Sequence, residues 1–181
     1  MNIANKLSIL RILLVPLLVV VFMFLPNPQN YFIALFIFVI GTLTDLMDGY
    51  IARKRNLITT FGKFIDPVAD KVLVNTALVL LLVNGDIPFM AFLIMLWRDL
   101  LVDGVRMVAS SENQVIAASI FGKLKTVLQM TAIILLFLRN WPFSLMAIPM
   151  DQIILWLAVL ASFLSGVDYL IKSSAIWYRT K

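Results

Sequence analysis

The chain has no cysteine and no histidine among its 181 residues. The first absence excludes disulfides and thiolate metal sites. The second removes the side chain most used for proton transfer near neutral pH, so general-base work must fall to a carboxylate, a lysine or water. Charge is also scarce: 14% of residues are Asp, Glu, Lys or Arg, against about 25% in a soluble domain. No internal repeat or low-complexity linker divides the chain, so residues 1–181 read as one domain. What is present is apolar. With 62% hydrophobic residues and a mean hydropathy of +0.99, this is the composition of an integral membrane protein. The net charge of +5 then marks cytoplasmic loops and anionic lipid contacts, and it excludes nucleic acid as the expected partner.

Apolar runs at 9–25, 31–51, 64–83, 87–108, 124–138 and 148–171 predict six helices. Most approach the roughly 20 residues needed to cross the hydrocarbon core. Polar and apolar residues alternate irregularly before the first run, where Asn5, Lys6, Ser8 and Arg11 sit among Ile3, Leu7, Ile9 and Leu10. This predicts a short interfacial helix. A cleaved signal peptide is the rival, but the run ends in Pro26-Asn-Pro28 without a small-residue cleavage site. The expected fold is therefore an all-α integral membrane protein with six transmembrane helices and a short N-terminal interfacial helix. Of the basic residues, only Arg139 falls on the side opposite the rest. By the positive-inside rule, both termini and the ends of spans two and three that carry the aspartates are cytoplasmic.

Against this apolar background, four aspartates lie close together between positions 45 and 70. The stretch reads Asp45-Leu-Met-Asp48-Gly49-Tyr-Ile-Ala52-Arg53, then eight residues, then Gly62-Lys-Phe-Ile-Asp66-Pro-Val-Ala-Asp70. Each ionised carboxylate near lipid costs about 2.5–3.5 kcal/mol on insertion scales, and neighbouring carboxylates repel one another. A divalent cation is the simplest compensation. On helices, Asp45 and Asp48 fall at i, i+3, and Gly62, Asp66 and Asp70 fall on one stripe at i, i+4, i+8. Gly49, Ala52 and Gly62 leave room for a second backbone or a ligand. Hard oxygen donors without His or Cys select Mg²⁺, Mn²⁺ or Ca²⁺. Four carboxylates suit two metals about 3.5–4 Å apart, an arrangement used for displacement at phosphorus.

The pattern D-x2-D-G-x2-A-R-x8-G-x3-D-x3-D resembles the signature of the CDP-alcohol phosphotransferases, and Asp45, Asp48, Gly49, Ala52, Arg53, Gly62, Asp66 and Asp70 fill all of its fixed positions. Asn5-Lys-Leu-Ser8-Ile-Leu-Arg11 is similar to the family's N-terminal nucleotide-binding segment. The resemblance implies two metals, Mg²⁺ or Mn²⁺, held by Asp45, Asp48, Asp66 and Asp70 against the diphosphate of a CDP-linked lipid. It further implies Asp70 as the general base toward an acceptor alcohol. Asn5, Ser8, Gly49, Ala52, Arg53 and Gly62 would surround the nucleotide together with Asp45, Asp48 and Asp66. A homodimer is implied as well.

A second ionisable cluster, Arg98-Asp99-Leu-Leu-Val-Asp103-Gly-Val-Arg106, lies within the fourth run, and Gly122-Lys123-Leu-Lys125-Thr126 opens the fifth. Residues this deep should face the bundle interior and pair with each other. One reading is a structural ion-pair network, and another is an anion site. Lys123 and Lys125 are i, i+2 and diverge on a regular helix, so one could reach a pocket while the other meets headgroups. Three cations, Arg106, Lys123 and Lys125, suit a phosphorylated acceptor. Both segments resemble most the branch of the family that uses glycerol 3-phosphate with CDP-diacylglycerol. Another acceptor within the family, inositol phosphate or phosphatidylglycerol, is the alternative. From a different class, a divalent-cation transporter would need polar residues along its whole depth, and the outer halves of the first three spans are almost purely apolar. Asp168 and Lys172, at i, i+4, read as an interfacial salt bridge.

Overall fold

The computed structural model describes residues 3–55, 60–111 and 119–177, with side chains for 7–44, 68–110 and 119–173. Among the described residues the chain is helical, without strands. The elements are α1 (Ile3–Phe24), α2 (Gln29–Arg55), α3 (Thr60–Val83), α4 (Phe89–Ser111), α5 (Ile120–Phe137) and α6 (Met150–Trp177), with a 3₁₀ turn at Phe143–Met146. Six apolar runs have become six helices. Three of them contain segments long and apolar enough to cross a membrane, Leu7–Phe24, Ile120–Phe137 and Met150–Ser173. The apolar part of α2, Gln29–Thr44, is shorter. In α4 the ionisable residues Arg98, Asp99, Asp103 and Arg106 interrupt the apolar sequence.

The expected interfacial helix is not a separate element. Nothing between Ile3 and Val15 breaks a helix, so the polar N-terminal segment forms the first turns of α1, and Pro16 is absorbed mid-helix. The α5 helix starts earlier than its apolar run. Ser119 caps it by accepting a hydrogen bond from the Gly122 backbone N–H at 3.0 Å.

Helix α1 packs on α2 and α3, while α6 packs on α4 and α5. Between these groups lies an apolar core built around Leu18, Phe38, Leu73, Leu81, Met95 and Leu155. Phe22, Tyr31 and Phe137 meet edge to face in it, with ring centroids 5.1–6.4 Å apart. The outside is equally apolar: Leu13, Phe36, Phe163 and Ile171 all project outward. An exposed apolar belt around a packed helical bundle fits lipid as its solvent.

Polar burial is uneven. Apart from Asn30 near the start of α2, the buried polar residues among those described are Ser8, Arg11, Ser119, Lys125, Gln129, Ser162, Ser165 and Ser173. They lie on the first half of α1, the first half of α5 and the second half of α6. With helices running alternately up and down, those segments share one end of the bundle. The ends of α2 and α3 that carry the signature aspartates belong to the same end. Arg11 donates from Nε to the Gly41 carbonyl at 3.2 Å, tying α1 to α2 there.

The opposite end is closed by a separate polar clasp. Tyr31 donates its hydroxyl to Asp86 and accepts from Asn84. Gln152 Nε2 donates to the Asp86 carbonyl at 3.0 Å. Arg139 stacks 5.5 Å from the Tyr31 ring and donates to Asn27 Oδ1 at 3.0 Å. Two helices end in the same way here. Gly85 (φ 84°) donates to the Leu82 carbonyl and Asp86 to that of Leu81; Arg139 (φ 53°) donates to Leu136 and Asn140 to Leu135. Both are Schellman caps, and the left-handed residue costs little where it is glycine.

Candidate active site

Helix α4 presents Arg98, Asp99, Asp103 and Arg106 chiefly to its neighbours, with one pair, Arg98–Asp99, made within the helix. Asp99 receives Lys125 Nζ from α5 on both oxygens, at 2.6 and 2.7 Å, and Arg98 Nη1 at 2.9 Å. Arg98 continues across to α6, donating from Nη2 to Ser165 Oγ at 2.6 Å. Asp103 pairs with Lys71 on α3. Arg106 donates to the Tyr169 hydroxyl on α6. That same hydroxyl accepts the Ser119 N–H at 3.3 Å. The expectation that these residues face the interior and pair with each other holds for Arg98 and Asp99, whereas Asp103 and Arg106 are more exposed and find their partners on α3 and α6. Adjacent helices place opposite charges at contact, whereas a carboxylate and a guanidinium on successive turns of one helix must bend back to meet.

Close packing makes this possible. A Cβ on Gly122 would lie 3.0 Å from Arg98 Nη2 and 3.4 Å from Ser165 Oγ. A side chain at this position would press on the guanidinium where it passes between α5 and α6.

These groups enclose a cavity of 180 Å³ whose lining includes Asp70, Lys71, Asn75, Asp103, Arg106 and Gln129. Its charged lining comprises Lys71, Arg98, Arg106 and Lys125 against Asp70, Asp99 and Asp103. Cations are therefore in slight excess, and two carboxylates already engage Lys71 and Lys125. Next to it a groove of 840 Å³ runs along α1 and α3 as far as Asn27 and Asn84. Its walls are mainly Val19, Phe22, Val72, Val79 and Leu80, and it shares Lys71 and Asn75 with the polar cavity. A charged chamber thus adjoins an apolar trough.

The predicted site residues divide accordingly. Asp70, Arg106 and Lys125 are brought together around the cavity. Lys123 is exposed and does not line it, since two residues along a helix rotate a side chain to another face. Ser8 is fully buried one turn before Arg11 on α1 and lines neither cavity. Asp45, Asp48, Gly49, Ala52 and Arg53 lie on the last turns of α2, and Gly62 and Asp66 on the first turns of α3. Their side chains, with that of Asn5, are outside the described residues. Among the described side chains no group of three or more carboxylates could hold a metal ion. The described member of the signature, Asp70, lines the cavity one helical turn beyond Asp66, and its chemistry is that of a hard oxygen donor.

Residues not anticipated as site members are Lys71, Asn75, Gln129, Ser165 and Tyr169. Spacing carried a signal for two of them. Asn75 follows Lys71, and Gln129 follows Lys125, by one turn each on apolar helices.

The sequence profile of the CDP-alcohol phosphatidyltransferase family matches residues 1–164. The chain belongs to this family. It is similar to the CDP-diacylglycerol–glycerol-3-phosphate 3-phosphatidyltransferase of Bacillus subtilis (strain 168), at 36% identity over 95% of both chains. It is also similar to the proteins of the same name from Rickettsia bellii (36% identity over 93% of each chain) and Haemophilus influenzae (38%, over 93% of this chain and 91% of that one). The chain is thus an integral membrane member of a transferase family, related along nearly its whole length to phosphatidyltransferases.

Proposed function

We propose that the protein transfers the phosphatidyl group of CDP-diacylglycerol to the 1-hydroxyl of sn-glycerol 3-phosphate, giving phosphatidylglycerophosphate and CMP. The observation that carries this reading is the chamber at the end of the bundle. It joins a signature carboxylate, Asp70, to the cations Arg106 and Lys125, and it opens beside an apolar groove. Positive charge suits the phosphate of a phosphorylated acceptor, and an apolar trough suits acyl chains.

In this reading Arg106 and Lys125 hold the acceptor phosphate. Asp99, fixed by Arg98, keeps Lys125 in place when the site is empty, so the ammonium is not buried alone. Asp70 takes the proton of the 1-hydroxyl as its oxygen forms the new bond to the phosphatidyl phosphorus, and CMP departs with the electrons of the broken P–O bond. Asn5, Ser8, Gly49, Ala52, Arg53 and Gly62 surround the nucleotide, Ser8 from within α1. Lys123, on the outer face, meets headgroups rather than the acceptor. Asp45, Asp48, Asp66 and Asp70 would hold Mg²⁺ or Mn²⁺, which when bound neutralises the diphosphate and the departing CMP. Six membrane spans, cytoplasmic termini and a cytoplasmic active site complete the reading, with a homodimer as the assembly.

The test is CMP release by the purified protein from CDP-diacylglycerol with Mg²⁺, run separately with glycerol 3-phosphate, inositol phosphate and serine. Release with glycerol 3-phosphate alone is expected. Release with a different alcohol would overturn the assignment of the acceptor.

A further inference from the structure

Three side chains in the chamber, Arg98 at Nε and two neutral amides, have polar atoms that the fold leaves unused. Gln129, on α5 one turn beyond Lys125, is 3% exposed, and its Nε2 has no hydrogen-bond partner. Asn75, on α3 one turn beyond Lys71, has a buried Oδ1 without a partner. Both line the same 180 Å³ cavity. Buried polar atoms are nearly always paired, so orphans on two neutral amides that line one small cavity need an explanation. They are also complementary, because one is a donor and the other an acceptor. A hydroxyl both donates and accepts, so a single hydroxyl between them would satisfy both. Neither amide carries charge, which fits them to an alcohol and not to a phosphate.

We propose that Gln129 and Asn75 bind the non-reacting 2-hydroxyl of the phosphorylated acceptor and thereby determine which phosphorylated alcohol the site accepts. This rests on the reading of the acceptor given above. With the phosphate on Arg106 and Lys125 and the 1-hydroxyl at Asp70, the 2-hydroxyl is the one polar group of glycerol 3-phosphate still to be matched. The neutral amides stand on the same two helices, α3 and α5, that carry Asp70 and Lys125. A site built to hydrogen-bond a hydroxyl rejects the analogue lacking it, because its own polar groups are then left unpaired.

The test compares glycerol 3-phosphate with 3-hydroxypropyl phosphate, which lacks only the 2-hydroxyl. CMP release from CDP-diacylglycerol is followed for the full-length wild type and for Gln129→Leu and Asn75→Ala. The wild type should favour glycerol 3-phosphate in kcat/KM by about 10- to 100-fold. Each variant should lose most of that preference, through a fall with glycerol 3-phosphate and a change of less than about 3-fold with the analogue. Gln129→Leu should melt no lower than the wild type, since the amide it removes has no partner in the fold. Equal losses with both acceptors, or a lowered melting point for Gln129→Leu, would show a structural role and overturn the proposal. So would a wild type that treats the two acceptors alike while still releasing CMP, and that result would leave the proposed activity standing. No release by the wild type with glycerol 3-phosphate would remove the proposed activity and this inference together.

Discussion

At the scale of single residues, the site depends on how Lys125 is balanced. Its side chain is 5% exposed and both oxygens of Asp99 hold it. Removing one partner of such a pair leaves an uncompensated charge, at a cost of about 3–5 kcal/mol. Asp99→Asn should therefore lower the melting temperature by many degrees, read by thermal unfolding in detergent, whereas Lys172→Met should not, because the Asp168–Lys172 bridge is half exposed. The two lysines of α5 should separate cleanly in kinetics. Lys125→Met is expected to reduce kcat/KM for glycerol 3-phosphate by about 100-fold, the scale of a lost charged hydrogen bond, and Lys123→Ala to change it less than 2-fold. Equal effects of the two would contradict the placement of Lys125 alone in the chamber. Sequence spacing established that these lysines diverge, but only the packing of α4 against α5 and α6 decides which one turns inward. Gln129 and Asn75 fall one turn beyond Lys125 and Lys71, but an amide on an apolar helix carries no charge signal, and its significance lies in lacking a partner.

Among elements, the helices were the most legible part of the sequence, because each apolar run had to be satisfied by backbone hydrogen bonds within itself. Their ends were less so. The N-terminal polar residues read as a separate interfacial helix, yet no glycine or proline interrupts them and α1 runs unbroken from Ile3. The 3₁₀ turn at Phe143–Met146 left no periodic signal, being one turn long. Where α4, α5 and α6 meet, the missing Cβ of Gly122 leaves room for the end of Arg98. Gly122→Ala should cost about 1–3 kcal/mol in stability by overpacking, and should weaken activity through displacement of Arg98 from Asp99. Unchanged melting and unchanged kcat/KM would contradict this. At the far end, Tyr31→Phe removes the hydroxyl that joins Asp86 to Asn84. It should cost about 1–2 kcal/mol and leave kcat/KM unchanged, since the clasp and the chamber occupy opposite ends.

For the whole molecule, a charged chamber at one end, a polar clasp at the other, and an apolar core and outer belt between them describe a bundle with lipid as its solvent. The absence of cysteine gives a direct test of orientation. In inverted and right-side-out vesicles, Ser110→Cys at the end of α4 should react with an impermeant maleimide only from the cytoplasmic side. Ser144→Cys, beyond α5, should react only from the other. The reverse pattern would contradict the cytoplasmic site. The class of the enzyme was legible because its signature is a fixed pattern of residues within 26 consecutive positions. The acceptor was legible through the resemblance of the segments around Arg98–Arg106 and Gly122–Thr126, but the lining of the chamber was not, because it is assembled from α3, α4 and α5 and exists only after folding.

The central claim is that a phosphatidyl group moves intact onto glycerol 3-phosphate. The most direct measurement follows glycerol 3-phosphate labelled in its carbon skeleton, incubated with CDP-diacylglycerol, Mg²⁺ and the purified protein, while CMP is counted in parallel. Label should pass into the lipid phase in equal amount to the CMP released, and a chelator should stop both. CMP appearing without lipid-borne label would mean that water is the acceptor, and would contradict the account.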